Sequence, residues 1–417
     1  MISHKMQNLV KNSSVIRAMF EEGNRLAKLY GPENVFDFSI GNPSVTPPEQ
    51  IRTAITDILN EENPLIVHGY MNNSGYEDVR QTIAEHINHQ HGTAFSAQNI
   101  VMTCGAAGGL NDVCTLQSIC NLYAEKAAGG LNVILKTLLN PEDEVIVFAP
   151  FFSEYTNYVQ NFDGKLVIVN TDPETFLPDL TALKAAITNK TKAIILNTPN
   201  NPTGVVYPAE LLSQMEQVLT EKEQELSTSI YVISDEPYRE IVYDGVTVPF
   251  ILHYFHNGFI GYSYSKSLSL PGERIGYIVV NNDMDDFSDI LSALNVATRI
   301  LGFVNAPSLF QKVIAKTLDA SVDISIYQEN RDILYQHLTK LGFECIKPQG
   351  AFYLFPKVPD GDDKAFCELA KKYNILLVPG SSFAGKGHFR LSYCVSKEQI
   401  LRSLPAFEKL AKEIFHS

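Results

Sequence analysis

The residues best suited to chemistry lie between positions 262 and 277. A single lysine, Lys266, sits in a run of small hydroxyl residues (Ser263, Ser265, Ser267), and Arg274 follows eight positions later. Most lysines project into water, and a solvated surface residue is the plain alternative for this one. Its surroundings differ from that pattern. An aromatic and small run at 259–265 has the character of a buried strand end, and the chain then turns at Pro271 and Gly272. A desolvated lysine is held partly neutral, which makes it a carbonyl nucleophile able to form a Schiff base. Ser263 and Ser265 offer hydroxyl donors, and Arg274 offers a planar, permanently charged fork suited to a phosphate. Aldehyde capture beside phosphate capture points to one ligand, pyridoxal 5′-phosphate (PLP).

Partners for such a ligand stand upstream and downstream. The apolar strand N-I-V-M-T runs into a glycine-rich turn and a helix start, where free backbone N–H groups and the helix dipole receive an anion. Gly105, Gly108 and Gly109 do not have dinucleotide-fingerprint spacing, so Gly105, Ala106 and Ala107 are read as a phosphate cradle. Asp235 closes the apolar run Y-V-I-S-D, with Tyr238 three residues on. A buried carboxylate there would keep a pyridine nitrogen protonated, the condition for an electron sink. The motif N-T-P-N-N-P-T-G at 197–204 follows another buried strand, and Pro199 and Pro202 fix its loop. Arg390 stands in an otherwise apolar strand and calls for an anionic partner.

Together these motifs resemble those of the class I/II aminotransferases, fold type I PLP-dependent enzymes of the aspartate aminotransferase superfamily, over nearly the whole chain. The resemblance implies transfer of an amino group from an L-amino acid to a 2-oxo acid, with Lys266, Asp235 and Tyr238 catalytic. It implies that Asn201 and Tyr238 hold the cofactor's phenolic oxygen, with Asn201 also contacting the substrate. It also implies that Ser263, Arg274 and the Gly105 turn bind its phosphate. Phe152, two residues after Pro150, is expected to stack on the pyridine ring; its bland role is core filling. Gly41 is expected to meet the substrate carboxylate through its backbone, or else is a plain turn glycine. Arg390 is expected to bind the α-carboxylate, and Arg299 is the one candidate for a second carboxylate reader. Tyr70 is expected to reach across a homodimer interface to the neighbouring cofactor's phosphate; by composition alone it is an ordinary half-buried tyrosine. A β-eliminating C–S lyase on the same fold, or a PLP-binding protein inactivated by an insertion, are the alternatives.

The elements that position these residues read as strand–helix alternation. Strands are expected at 144–150, 165–170, 192–197 and 275–280, and helices at 14–30, 49–60, 77–90, 179–188, 208–226, 284–320, 324–341, 363–373 and 398–415. Alternation of this kind predicts a three-layer α/β/α domain with a mostly parallel sheet. The expected division is an N-terminal arm at 1–48 that shares in the small domain, a large domain at 49–300, and a smaller α+β domain at 301–417.

One feature departs from the family pattern. The hexapeptide A-A-G-G-L-N occurs at 106–111 and again at 127–132. Deleting 112–132 restores an uninterrupted helix, so this stretch is read as an insertion with a duplicated border. Val113, Leu116, Cys120 and Tyr123 within it have helical spacing, and the first copy is taken as the phosphate cradle.

Bulk properties fit a soluble enzyme. The 417 residues are 45% hydrophobic and 19% charged, enough for a sizeable core. A net charge of −14 without basic runs argues against nucleic acid. No signal-peptide or membrane-spanning run is visible. The six cysteines show no metal-ligand spacing and read as free thiols of a reducing cytoplasm. No metal is expected.

Overall fold

The computed structural model describes residues 2, 6–7, 15–105 and 129–415. It comprises two compact units. The larger is Pro43–Ile324 with Gln349–Ala351; the smaller is Met1–Asn42, Ser325–Pro348 and Phe352–Ser417. The chain forms β1 Phe36–Asp37, β2 Ile100–Thr103, β3 Glu144–Ala149, β4 Lys165–Asn170, β5 Thr191–Asn197 and β6 Tyr231–Asp235. It continues with β7 Gly258–Ser263, β8 Gly276–Val280, β9 Tyr353–Leu354, β10 Ile375–Leu376, β11 Val378–Pro379 and β12 Phe389–Ser392.

The larger unit is built on a seven-stranded sheet of order β2-β8-β7-β6-β5-β3-β4. Strands β4, β3, β5, β6 and β7 pair in parallel, and β8 runs antiparallel between β7 and β2. This is the expected α/β architecture. The two-residue period of a strand assigns its faces. Val145, Val147, Ile195, Ile233 and Ile278 join Leu131, Ile134 and Leu294 in one core. The alternate residues Ile146, Phe148, Ile194 and Val232 join Leu212 and Met215 in another. On the β2–β8–β7 side, Met102, Ile260 and Val279 pack with Ile58 and Ile83. Helices thus cover both faces, which is why these strands read as continuous apolar runs rather than alternating ones.

The helix expected over 284–320 is two helices, Phe287–Ile300 and Ser308–Lys316. Gly302 has φ +84°, and Pro307 caps the second helix, where a ring without an N–H cannot continue the first. In the smaller unit, β11-β12-β9 form an antiparallel sheet and β1 pairs with β10 in parallel. Its core includes Phe366 stacked on Phe389 at 4.7 Å, with Phe343 edge-on to both. Among the described residues no helix is long and apolar enough to cross a membrane.

Candidate active site

Sheet register brings most of the expected residues of the larger unit to one edge. Asn197 is paired with Asp235, Asp235 with Gly261, Ser263 with Gly276, and Gly276 with Thr103. The C-terminal ends of β5, β6, β7 and β2 therefore stand side by side, the edge at which open α/β sheets bind ligands.

Asp235 is the electrostatic centre of that edge. It is fully buried, and burial pushes its carboxyl up to about 7, against the lowering effect of a hydrogen bond from Tyr155. The Tyr155 hydroxyl donates to Oδ2 at 2.7 Å, while Oδ1 is buried and has no hydrogen-bond partner among the described residues. Tyr155 itself is held protonated by burial and by the adjacent carboxylate. Phe152 lies edge-on to Tyr155 at 5.5 Å, so this aromatic belongs to the same cluster. Sequence reasoning missed Tyr155; its signal was a tyrosine five residues after Pro150, too distant in sequence from Asp235 to be paired by inspection.

Asn197 is a second missed residue. Its side chain accepts from the Asn201 N–H at 2.7 Å and donates to the Asp235 carbonyl at 2.8 Å. One amide thereby fixes the Asn201 loop to the strand that carries Asp235. Asn201 and Tyr238 are both buried.

Lys266 is 6% exposed and sits on a four-residue helical turn, Tyr264–Ser267. Ser263 caps that turn, its Oγ accepting from the Ser265 N–H at 3.2 Å and lying 2.7 Å from the Ser265 hydroxyl. Arg274 follows the turn Pro271–Glu273 in a left-handed conformation and is partly buried. Its Nη1 donates to Pro271 O at 2.9 Å and its Nη2 to Cys104 O at 3.5 Å. Gly105 has φ +75°, and a Cβ there would come within 2.7 Å of Arg274 Nη2. This turn thus needs glycine both for its backbone and for its space.

Ala106 and Ala107 lie outside the described residues, as do Val113, Leu116, Cys120 and Tyr123. The expectation that the first A-A-G-G-L-N copy is the phosphate cradle therefore concerns residues of which Gly105 alone is described. Gly130 of the second copy donates its N–H to Gly105 O at 3.1 Å, and a Cβ on Gly129 would meet Cys104 O and Gly105 O at 2.9 Å. The helix that follows is Gly129–Leu138. If the 21 residues 106–126 are left out of the count, Gly130 follows Gly105 by four positions, the spacing of a helical bond. The residues that follow the two copies differ in character. Val133 and Leu138 are buried in the core, and seating the first copy would put Asp112 and Gln117 in their places. An unpaired buried carboxylate costs several kcal/mol.

In the smaller unit, Arg390 is fully buried on β12. Its guanidinium lies 4.6 Å from the Tyr353 ring centre and 4.7 Å from that of Phe383, and its Nη2 donates to Ser39 O at 2.6 Å. Gly41 is buried in the same unit. Tyr70, in the larger unit, is 95% exposed. Arg299 lies exposed on its helix, and the other buried arginines are occupied: Arg80 donates to Ala97 O and Arg331 to Pro348 O. Among the described residues no group of three or more His, Cys, Asp or Glu is arranged to hold a metal.

The model of the family described as aminotransferase class I and II matches residues 33–407. The chain belongs to that family. It is 29% identical to the aspartate aminotransferase of Thermotoga maritima, over 90% of this chain and 91% of that protein. It is equally similar, at 29%, to aromatic-amino-acid aminotransferase 2 of Thermococcus litoralis, over 96% of each. A crystal structure of an aminotransferase from Eubacterium rectale superposes with a TM-score of 0.92 at 42% identity, covering 99% of both chains. The chain is an aminotransferase, moving an amino group from an amino acid to a 2-oxo acid.

Proposed function

We propose that this aminotransferase works with PLP held at the edge formed by β2, β5, β6 and β7, and that Lys266 is its catalytic amine. The single observation that carries this reading is Asp235, a buried carboxylate with one oxygen anchored by Tyr155 and the other without a partner among the described residues. Such a group fits a heterocycle nitrogen that arrives with its own proton. The Gly105 turn, which a Cβ would fill against Arg274, fits a phosphate. When bound, PLP supplies a protonated ring that draws electrons from the substrate Cα.

The chain's own residues divide the remaining work. Asp235 Oδ1 holds the proton on the ring nitrogen. The Asn201 amide and the Tyr238 hydroxyl orient the ring through its phenolic oxygen, and Phe152 supplies an aromatic plate. Ser263, Arg274 and the Gly105 turn hold the phosphate. Lys266 Nζ takes the proton from the substrate Cα and returns one as general acid. Arg390 binds the α-carboxylate through its planar fork, with the Gly41 backbone beside it. The protein works as a homodimer in the cytoplasm: exposed Leu65, Ile66 and Tyr70 form an apolar surface suited to a second copy, and Tyr70 reaches that copy's phosphate.

The test is the visible absorption of the PLP-loaded protein as amino acids are added one at a time without oxo acid. A donor that bleaches the band, followed by recovery on adding an oxo acid, is the expected result. Persistence of the band with release of ammonia would mark a lyase instead. Lys266→Ala is expected to lose turnover altogether, and sustained transamination by that variant would sink the assignment.

A further inference from the structure

We propose that Tyr353 and Phe383 are positioning residues for the carboxylate anchor, and that Tyr353 also locks the Gly41 turn to it. This rests on the reading of Arg390 as that anchor. All of these residues lie in the smaller unit.

The backbone explains how the clamp is built. Tyr353 on β9 pairs with Ser392 on β12, which makes Arg390 its diagonal neighbour on the same face. Across the other edge Val378 on β11 pairs with Arg390, and the chain then turns through Gly380–Phe383, which brings Phe383 to the guanidinium. The result is a fully buried cation flanked by two rings at 4.6 and 4.7 Å. The choice of rings has a chemical reason. A ring attracts a cation through its face and takes none of its N–H donors, whereas a structural carboxylate would occupy them and neutralise the charge. An aromatic clamp therefore steadies the guanidinium without competing with a substrate carboxylate.

The same tyrosine touches the second proposed carboxylate contact. The segment 38–41 is strapped along β12: the Ser392 N–H donates to Phe38 O at 2.9 Å, Arg390 Nη2 donates to Ser39 O, and Cys394 Sγ lies 3.8 Å from Ile40 O. At the end of the strap, a Cβ on Gly41 would overlap the Tyr353 hydroxyl and lie 3.2 Å from the Phe352 ring. Tyr353 thus sets the guanidinium with its ring and the turn with its hydroxyl.

The experiment uses the PLP-loaded full-length enzyme and two readouts: the split between KM and kcat, and the dissociation constant of maleate, an unreactive carboxylate, from the shift of the visible band. Tyr353→Leu and Phe383→Leu are each expected to raise KM and the maleate constant about 30-fold, the scale of a desolvated cation–π contact of about 2 kcal/mol, with kcat within about 3-fold. Tyr353→Phe keeps the ring but loses the hydroxyl against the Gly41 turn, and is expected to raise both constants only about 5-fold, corresponding to about 1 kcal/mol. Gly41→Ala is expected to weaken carboxylate binding, and Tyr353→Phe in the same chain to recover part of that loss, because the two groups share one space. If Arg390→Gln raises both constants while the ring variants do not, the clamp is wrong and the anchor stands. If Arg390→Gln changes neither constant, the anchor reading fails, and the clamp with it. Should Tyr353→Leu not fold, Phe383→Leu and the Gly41 pair decide between the same outcomes.

Discussion

Arg274 and Arg390 are both proposed to bind anions, yet they are held in opposite ways. Arg274 leaves a left-handed turn, is partly buried, and is steadied by the main-chain carbonyls of Pro271 and Cys104. Arg390 comes from a strand, is fully buried, and is flanked by the rings of Tyr353 and Phe383. The first arrangement asks for positive charge at a point and tolerates adjustment of a loop. The second asks for a plane, because two rings and one carbonyl fix its orientation. A phosphate that stays bound through many turnovers can be shared among several donors. A substrate carboxylate that comes and goes relies on one pre-set fork.

The largest expected effect tests that difference at Arg390. Arg390→Lys keeps the charge but loses the plane, and truncating one side of a buried charged contact costs about 2–5 kcal/mol. KM for the amino acid is expected to rise about 100-fold, corresponding to about 3 kcal/mol. Arg274→Lys is expected to weaken PLP binding only about 10-fold, since an ammonium also serves a phosphate as a point charge, and to leave KM nearly unchanged at saturating PLP. Equilibrium dialysis of PLP and steady-state kinetics separate the two. Equal losses in both variants would erase the contrast.

Asp235 sharpens the comparison from the acidic side. Like Arg390 it is fully buried, but a single hydroxyl holds it. Its carboxyl is raised from 3.8 to about 7, chiefly by burial. The folded protein without cofactor therefore binds this proton more tightly than the unfolded chain does, and stability must fall as pH rises from about 4 through about 7. A shift of about three units corresponds to at most about 4 kcal/mol. Asp235→Asn is expected to flatten that part of the stability–pH curve, measured by urea unfolding of the PLP-free protein. An unchanged slope would mean that Asp235 is not the group responsible.

How much of this was legible in the sequence depends on how far each residue's partner lies. Lys266, Arg274 and Asp235 stand at strand ends beside turn residues, so local pattern singled them out as candidates. The strand and helix runs of the larger unit were legible for the same reason, because period and punctuation are local signals. Tyr155 and Asn197 act through partners 80 and 38 positions away, in pairings that only sheet register creates. Tyr353 and Phe383 read as ordinary core aromatics until β9 and β11 flank β12. The first A-A-G-G-L-N copy was preferred because it directly follows the strand. Burial downstream of the turn, at Val133 and Leu138, favours the second.

The smallest expected effect comes from the largest change in the chain. Deleting 106–126 and deleting 112–132 yield the same polypeptide, because the two borders are identical. In that product Gly105 is followed by A-A-G-G-L-N and then by Val133, so the Gly130-to-Gly105 hydrogen bond becomes an ordinary first-turn helical bond. Every buried side chain of the helix from Leu131 to Leu138 keeps its place. Joining Gly105 directly to residue 127 removes 21 residues between two fixed points, worth about 2–3 kcal/mol of chain closure on the (3/2)RT ln n scale. The deletion variant is therefore expected to be soluble, to bind PLP within about 3-fold of the parent, and to melt at the same temperature or a few degrees higher. The Arg274 cradle is then a site that survives removal of its neighbouring sequence, as loop-held charge should. Loss of PLP binding with the fold intact would show that 106–126 supplies part of the cradle, and Arg274 would then depend on more than the carbonyls of Pro271 and Cys104.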